Sequence, residues 1–101
     1  MTAYVVAKVT ITDRETYARY ANGFMAALTP FGGKLLSVDE APEVIEGEWR
    51  CTRTVLAEFA SKAVMKAWYA SPAYQVLVQH RFAASSSADI VLLEGFAPPT
   101  A

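Results

Sequence analysis

The residue with the clearest chemical potential is an arginine on an apolar helix face. If residues 73–85 form a helix, Arg81 shares a face with a set of large apolar side chains: Tyr74, Leu77, Val78 and, at the edge, Phe82. A guanidinium held against apolar surface needs a carboxylate, backbone carbonyls or an anionic ligand. Arg81 therefore pairs with an acidic residue of the chain, extends its charged end to solvent, or binds a ligand anion. The internal carboxylates that we consider are Asp13, Glu58 and Glu94.

Aromatic side chains supply candidate walls for a ligand cavity near Arg81. One stripe of the first predicted helix carries Tyr17, Tyr20, Ala21, Phe24 and Leu28, and the second helix carries Val64, Ala67 and Trp68. Such stripes are typical of core packing, and a buried tyrosine hydroxyl usually finds a local partner. The alternative is that a hydroxyl points into a cavity. The candidate ligand-binding residues are thus Arg81, Tyr17, Tyr20, Trp68, Tyr74 and Glu58.

Glu58 belongs to a different surface from the helix stripes. It shares a strand face with Thr54 and Leu56, and Lys8 shares one with Tyr4 and Val6. If these faces form the side of the sheet without helices, both charges point toward a dimer cavity, where each is costly unless paired. Glu58 is then either half of an ion pair or a perturbed carboxylate able to act as a general base.

No cofactor or metal site is expected. The chain has one histidine and one cysteine, and its carboxylates lie in different segments. His80 falls on the polar face of its helix, and Gly32-Gly33 leads into a strand instead of a phosphate-binding helix. Cys51 is the only cysteine, which excludes an internal disulfide; beside Arg50 and Arg53 it is either a thiol with a lowered pKa or an incidental small residue. We expect no metal, no haem, no flavin and no nicotinamide.

Six elements are needed to position these residues. Residues 3–11 alternate as a strand, and Thr12 or Asp13 caps a helix that ends near Leu28. Strands are predicted over 34–38, 53–59 and 88–94, with an irregular strand or hairpin arm over 43–49. Ser61 caps a second helix to Ala70, broken at Ser71-Pro72 and continued over 73–85. The order β-α-β-β-α-β predicts an α+β, ferredoxin-like antiparallel sheet with both helices on one face.

Composition favours one domain that covers an apolar surface by dimerising. The chain has 101 residues, 53% of them hydrophobic, and a net charge of -1. We expect a single domain over residues 1–96 and a frayed tail over 97–101. The helix-free sheet face is too apolar for water, which predicts a homodimer. The weak net charge argues against nucleic acid and membrane surfaces as partners, and we expect a cytoplasmic protein.

Several segments together resemble a bacterial family called domain of unknown function 1330, within the dimeric α/β-barrel superfamily. They are Ala3–Ala7; Asp13, Tyr17 and Tyr20; Phe31–Lys34; Glu46–Arg50; Glu58–Phe59; Ala67–Gln75; Arg81; and Leu92–Gly95. The resemblance covers nearly the whole chain and implies two ferredoxin-like subunits paired sheet to sheet into a dimeric barrel. Cys51 and Ala60 depart from it, each standing where the family usually has proline.

The family implies no activity, so three functional hypotheses stay open. The first is a cofactor-free enzyme acting on a small aromatic or carboxylated molecule, with Arg81 as the anion clamp. The second is a ligand-binding or stress-associated dimer without catalysis. The third assigns every candidate residue to packing or ion pairing. An internal carboxylate partner for Arg81 would favour the third, whereas an unpaired Arg81 facing a cavity would favour the first two.

Overall fold

The computed structural model describes residues 2–96 and contains a four-stranded antiparallel sheet. Its strands are β1 (Ala3–Ile11), β2 (Lys34–Asp39), β3 (Arg53–Phe59) and β4 (Ser85–Glu94), in the order β2-β3-β1-β4. The central strand β1 alternates between buried and half-buried residues along its whole length, as its sequence predicts. The predicted α+β ferredoxin-like fold is confirmed. The predicted tail over 97–101 lies outside the described residues.

Three α-helices cover one face of this sheet: α1 (Arg14–Leu28), α2 (Lys62–Ala70) and α3 (Pro72–Ala84). The side chain of Asp13, one of the two predicted caps, accepts a hydrogen bond from the backbone N–H of Thr16. Ser61 caps α2 in the same way. Ser71 ends α2 and caps α3, and Pro72 begins α3, where its missing N–H does no harm. The second predicted helix is therefore two helices joined at the predicted break.

Three details differ from the sequence-based predictions. Residues 43–49 form no strand, and the Trp49 indole N–H instead donates to Thr54 Oγ1 at 2.8 Å. Strand β4 begins at Ser85, three residues early, because pairing with β1 outweighs the weak strand preference of serine. On α2, Ala67 was expected on the buried stripe but is exposed, and Met65 is buried with Trp68 instead.

The face of the sheet away from the helices is open in the single chain. Val91 is 51% exposed and Leu93 is 49% exposed on this face, beside half-buried Tyr4, Val6 and Leu56. Lys8 also lies on this side, with its ammonium 4.5 Å from the centre of the Trp49 ring. No helix among residues 2–96 is long and apolar enough to cross a bilayer.

Candidate functional site

A cavity of about 90 Å³ lies between the helices and the sheet; we call it the helix–sheet cavity. Strands β1 and β3 form its floor with Val5, Val9 and Ala57, and aromatic rings from α1 and the α2–α3 pair form its walls. The Trp68 and Tyr74 rings lie 4.1 Å apart between centroids and form the centre of this aromatic cluster. Met25, Leu35 and Val38 line the cavity and are also exposed, so its mouth lies at the edge formed by α1 and β2.

Five of the six candidate residues line this one cavity: Arg81, Tyr17, Tyr20, Trp68 and Tyr74. The sixth, Glu58, lies on the opposite face of the sheet, where its register partner on β1 is Tyr4. The arrangement follows from strand alternation, since Ala57 and Phe59 face the helices and the residue between them must face away. Any role of Glu58 in binding therefore concerns the open face of the sheet and not the cavity, and it stays a prediction.

Arg81 is 3% exposed and has no carboxylate partner among residues 2–96. Its guanidinium carbon lies 5.7 Å from the centre of the Tyr20 ring and 5.2 Å from that of Phe82. Burial alone would lower the pKa of Arg81, but the nearby Tyr74 and Tyr20 hydroxyls outweigh it and the pKa is raised. The side chain is thus a buried cation packed against rings, with none of the three proposed acidic partners.

A second cation at the cavity, Arg53, is absent from our sequence-based candidates. Arg53 lies at the start of β3, on the same face as Val55 and Ala57, and this alternation was the available signal. One terminal nitrogen donates to Glu40 at 2.8 Å, and its guanidinium carbon lies 5.3 Å from the centre of the Tyr17 ring. Arg14 donates to the other oxygen of Glu40 at 3.1 Å. Glu40 therefore holds Arg53 from outside while the rest of its guanidinium borders the cavity.

Three buried side-chain N–H groups of the described residues lack a hydrogen-bond partner, and all three residues line the helix–sheet cavity. They are Arg53 Nε, Trp68 Nε1 and Arg81 Nε. Leaving a buried donor unpaired costs about 1–3 kcal/mol, so such groups are rare in native proteins. The three residues share one apolar cavity, and two of the donors carry positive charge, but the N–H atoms themselves have almost no accessible surface. A ligand acceptor reaches them only when the surrounding side chains move.

Tyr17 and Tyr20 are neutral hydrogen-bonding groups of the site. The Tyr20 and Tyr74 hydroxyl oxygens are 2.7 Å apart and satisfy each other within the core. Burial raises the pKa of Tyr20, and it raises that of Tyr17 against the opposing effect of Arg53 and Arg81. These hydroxyls accordingly stay protonated at neutral pH. They can orient an acceptor but not serve as a base.

Other residues singled out in the sequence lie away from the cavity. His80 is half-buried on α3 and does not line the cavity. Cys51 is half-buried, with its sulfur 3.2 Å from Thr54 Oγ1. Among residues 2–96, no group of three or more His, Cys, Asp and Glu side chains could hold a metal ion.

The fold and this cavity define an α+β domain of the ferredoxin-like class, with a cationic, aromatic cavity beneath its helices. The chain belongs to the family described as Domain of unknown function (DUF1330), which matches residues 2–96. The resemblance drawn from the sequence is confirmed. No curated protein matches the chain.

Solved structures show the same fold at low sequence identity. A protein of unknown function from Rhodopseudomonas palustris, RPA0582, is 21% identical, with a TM-score of 0.81 over 96% of this chain and 84% of that one. A dimeric ferredoxin-like protein of unknown function from Jannaschia sp. CCS1 is 17% identical, with a TM-score of 0.69 over 94% and 100%. SnoaB from Streptomyces nogalater, a cofactor-independent oxygenase, is 13% identical, with a TM-score of 0.68 over 96% and 95%. These similarities establish the fold alone.

Proposed function

We propose that this protein is a homodimer whose subunits each bind a small aromatic molecule carrying an anionic or strongly hydrogen-bond-accepting group. The observation that carries the proposal is the buried guanidinium of Arg81, which has an unpaired Nε in an aromatic cavity. A buried cation without a counter-charge is stabilised when a ligand supplies one. An unpaired Arg81 facing a cavity is the arrangement that, by the sequence alone, favours a ligand site over an internal ion pair.

The size of the helix–sheet cavity limits the ligand to one small ring. At about 90 Å³ it is smaller than the ~150 Å³ of a buried protein cavity that binds benzene. The side chains at the mouth, Met25 and Leu35, are partly exposed and can move aside to admit one ring. Trp68 and Tyr74 line the cavity and supply aromatic surface that the ring can contact, and the neighbouring unpaired N–H donors can bind its acceptor group once the ring has displaced the side chains around them.

Homodimerisation is proposed through the open face of the sheet. Leaving Val91 and Leu93 half-exposed on a continuous apolar surface is unfavourable in water. The ferredoxin-like protein from Jannaschia sp. CCS1 is described as dimeric, which supports the same solution here. The single cysteine is compatible with the cytoplasmic location that we propose.

Binding is the primary proposal, and catalysis without a cofactor is secondary. The described lining of the cavity contains no Asp, Glu or His, and burial raises the pKa of Tyr17 and Tyr20, so neither tyrosine supplies a general base. The similarity to SnoaB, described as a cofactor-independent oxygenase, favours testing turnover. A turnover assay across phenols and aromatic acids separates an enzyme from the alternative, a non-catalytic or stress-associated binding dimer.

Calorimetric titration with two nearly isosteric probes tests the proposal. Benzoate carries the anion, and benzamide keeps the ring and the carbonyl without the charge. We expect benzoate to bind more tightly than benzamide and to lose its advantage in Arg81→Met. Arg50→Met is the matched control, because Arg50 has an 87% exposed side chain and does not line the cavity. Equal affinity for both probes, unaffected by Arg81→Met, would refute a ligand anion at Arg81.

A further inference from the structure

A second depression shares a wall with the helix–sheet cavity. It lies where α3 ends and β4 begins, and it has a volume of about 350 Å³. We call it the serine groove, because Ser85, Ser86 and Ser87 line it together with Phe82. Three residues line both spaces, namely Tyr69, Arg81 and Ile90. Arg81 thus stands between a small apolar chamber and a larger, more open groove.

The two spaces differ in chemistry as well as in size. The helix–sheet cavity is bounded mainly by aliphatic and aromatic side chains, apart from its few N–H donors. The serine groove offers hydroxyl groups: Ser86 is exposed, while the Ser85 hydroxyl already donates to the Arg81 carbonyl at 2.6 Å. Ser86 remains available to donate a hydrogen bond to a polar group beside Arg81.

The strand position explains why these serines are accessible. In the described sheet β4 is an edge strand, with β1 as its neighbour on one side. The register between β1 and β4 shifts between Thr10 and Ile11, opposite the residues that begin β4. Such an irregularity breaks strict alternation and lets successive side chains reach one surface. Ser85 and Ser86 can therefore both face the helix side of the sheet, whereas the Ser87 side chain, paired with Thr10, lies on the open face.

We propose that the ligand is amphipathic and spans both spaces, a deeper specification that rests on the proposed function. Its single ring occupies the helix–sheet cavity, an acceptor beside the ring binds Arg81, and a short polar or anionic tail lies in the serine groove against Ser86. The substrate class is then an aromatic ring joined through a carbonyl to a short acidic chain. Half-buried Tyr69, which lines both spaces, is the side chain that must yield to let such a molecule pass.

Hippurate and benzoate test this inference, because both are monoanions with one phenyl ring and only hippurate has the acidic tail. Calorimetric titration of the wild type should give tighter binding for hippurate. The variant Ser86→Ala should weaken hippurate about tenfold or more, since a hydrogen bond to a charged group is lost. Benzoate affinity should be unchanged, and Ser37→Ala, at an exposed serine of β2 that lines neither space, should alter neither probe.

Each outcome has a separate meaning. Benzoate binding that depends on Arg81, with hippurate no tighter than benzoate or unaffected by Ser86→Ala, overturns the groove and leaves the proposed function standing. Failure of both probes to bind the folded wild-type dimer overturns the proposed function and this inference together. Circular dichroism and thermal unfolding of Ser86→Ala confirm that any loss of hippurate binding is not a loss of fold.

Discussion

Replacing Arg81 by methionine separates a ligand-binding arginine from a structural one. Methionine keeps an unbranched apolar stem and removes both the charge and the unpaired Nε. An unpaired buried donor costs about 1–3 kcal/mol, and its removal returns that amount to the folded state. Against this, cation–π contacts to the Tyr20 and Phe82 rings, at 5.7 and 5.2 Å, are lost at about 0.5–1 kcal/mol each. The free energy of unfolding of the ligand-free variant should therefore lie between about 1 kcal/mol below and about 2 kcal/mol above that of the wild type.

Ligand binding should respond much more strongly than stability. A hydrogen bond to a charged group contributes about 1.5–3 kcal/mol, so benzoate should bind Arg81→Met roughly 10- to 150-fold more weakly. Urea unfolding with and without benzoate measures both quantities on one sample, since a ligand at 100 times its Kd stabilises the native state by about 2.7 kcal/mol. A variant that loses several kcal/mol without ligand but keeps the full benzoate stabilisation would show that Arg81 is structural.

Four further outcomes are expected. Arg81→Ala should lower the melting temperature or benzoate affinity more than His80→Ala, because Arg81 is buried and lines the cavity while His80 does not; equal and negligible effects would show that neither side chain matters there. Glu40→Gln should tighten benzoate binding by up to about fivefold, since an exposed ion pair is worth up to about 1 kcal/mol and its loss releases Arg53 toward the cavity; a weaker affinity would contradict this. Burial raises the pKa of Glu40, but hydrogen bonds from Arg14 and Arg53 outweigh it and lower that pKa below 4.5. The stability that ionised Glu40 contributes is complete above its pKa in the unfolded chain and is lost as pH falls through its lower pKa in the folded protein. The free energy of unfolding in urea should therefore fall less steeply with acid in Glu40→Gln than in the wild type. The purified protein should be colourless and free of stoichiometric transition metal by elemental analysis, and a visible band that survives gel filtration and disappears in His80→Ala would revive a haem protein.

Most of the fold could be predicted because its signals are local. The strict alternation of β1, the capping side chain of Asp13 and the Ser71-Pro72 break each depend on residues within a few positions. The helix phase that buries Arg81 with Tyr74 and Val78 also follows from spacing alone. The segment 43–49 was harder to predict. Its β-branched pair, Val44 and Ile45, is typical of a strand, but the segment pairs with no neighbouring strand in the structure.

The candidate site could be predicted only in part because its residues come from distant segments. Five aromatic or cationic members were accessible from the helix stripes. Arg53 was not predicted as a site residue because it was interpreted only as a neighbour of Cys51. Its strand face, which it shares with Val55 and Ala57, places it at the cavity. Glu58 was linked to ligand binding through the open face, which lies across the sheet from the cavity. The serine groove depends on the register shift between β1 and β4, for which the sequence has no visible signal.

A crystal structure of the protein with benzoate tests the central claim most directly. We predict a sheet-to-sheet dimer with one benzoate in each helix–sheet cavity, its ring against Trp68 and Tyr74. A carboxylate oxygen should lie about 2.7–2.9 Å from Arg81 Nε, the usual length of a charge-assisted bond. A cavity that stays without benzoate at saturating concentration, or benzoate bound away from Arg81, would contradict the account.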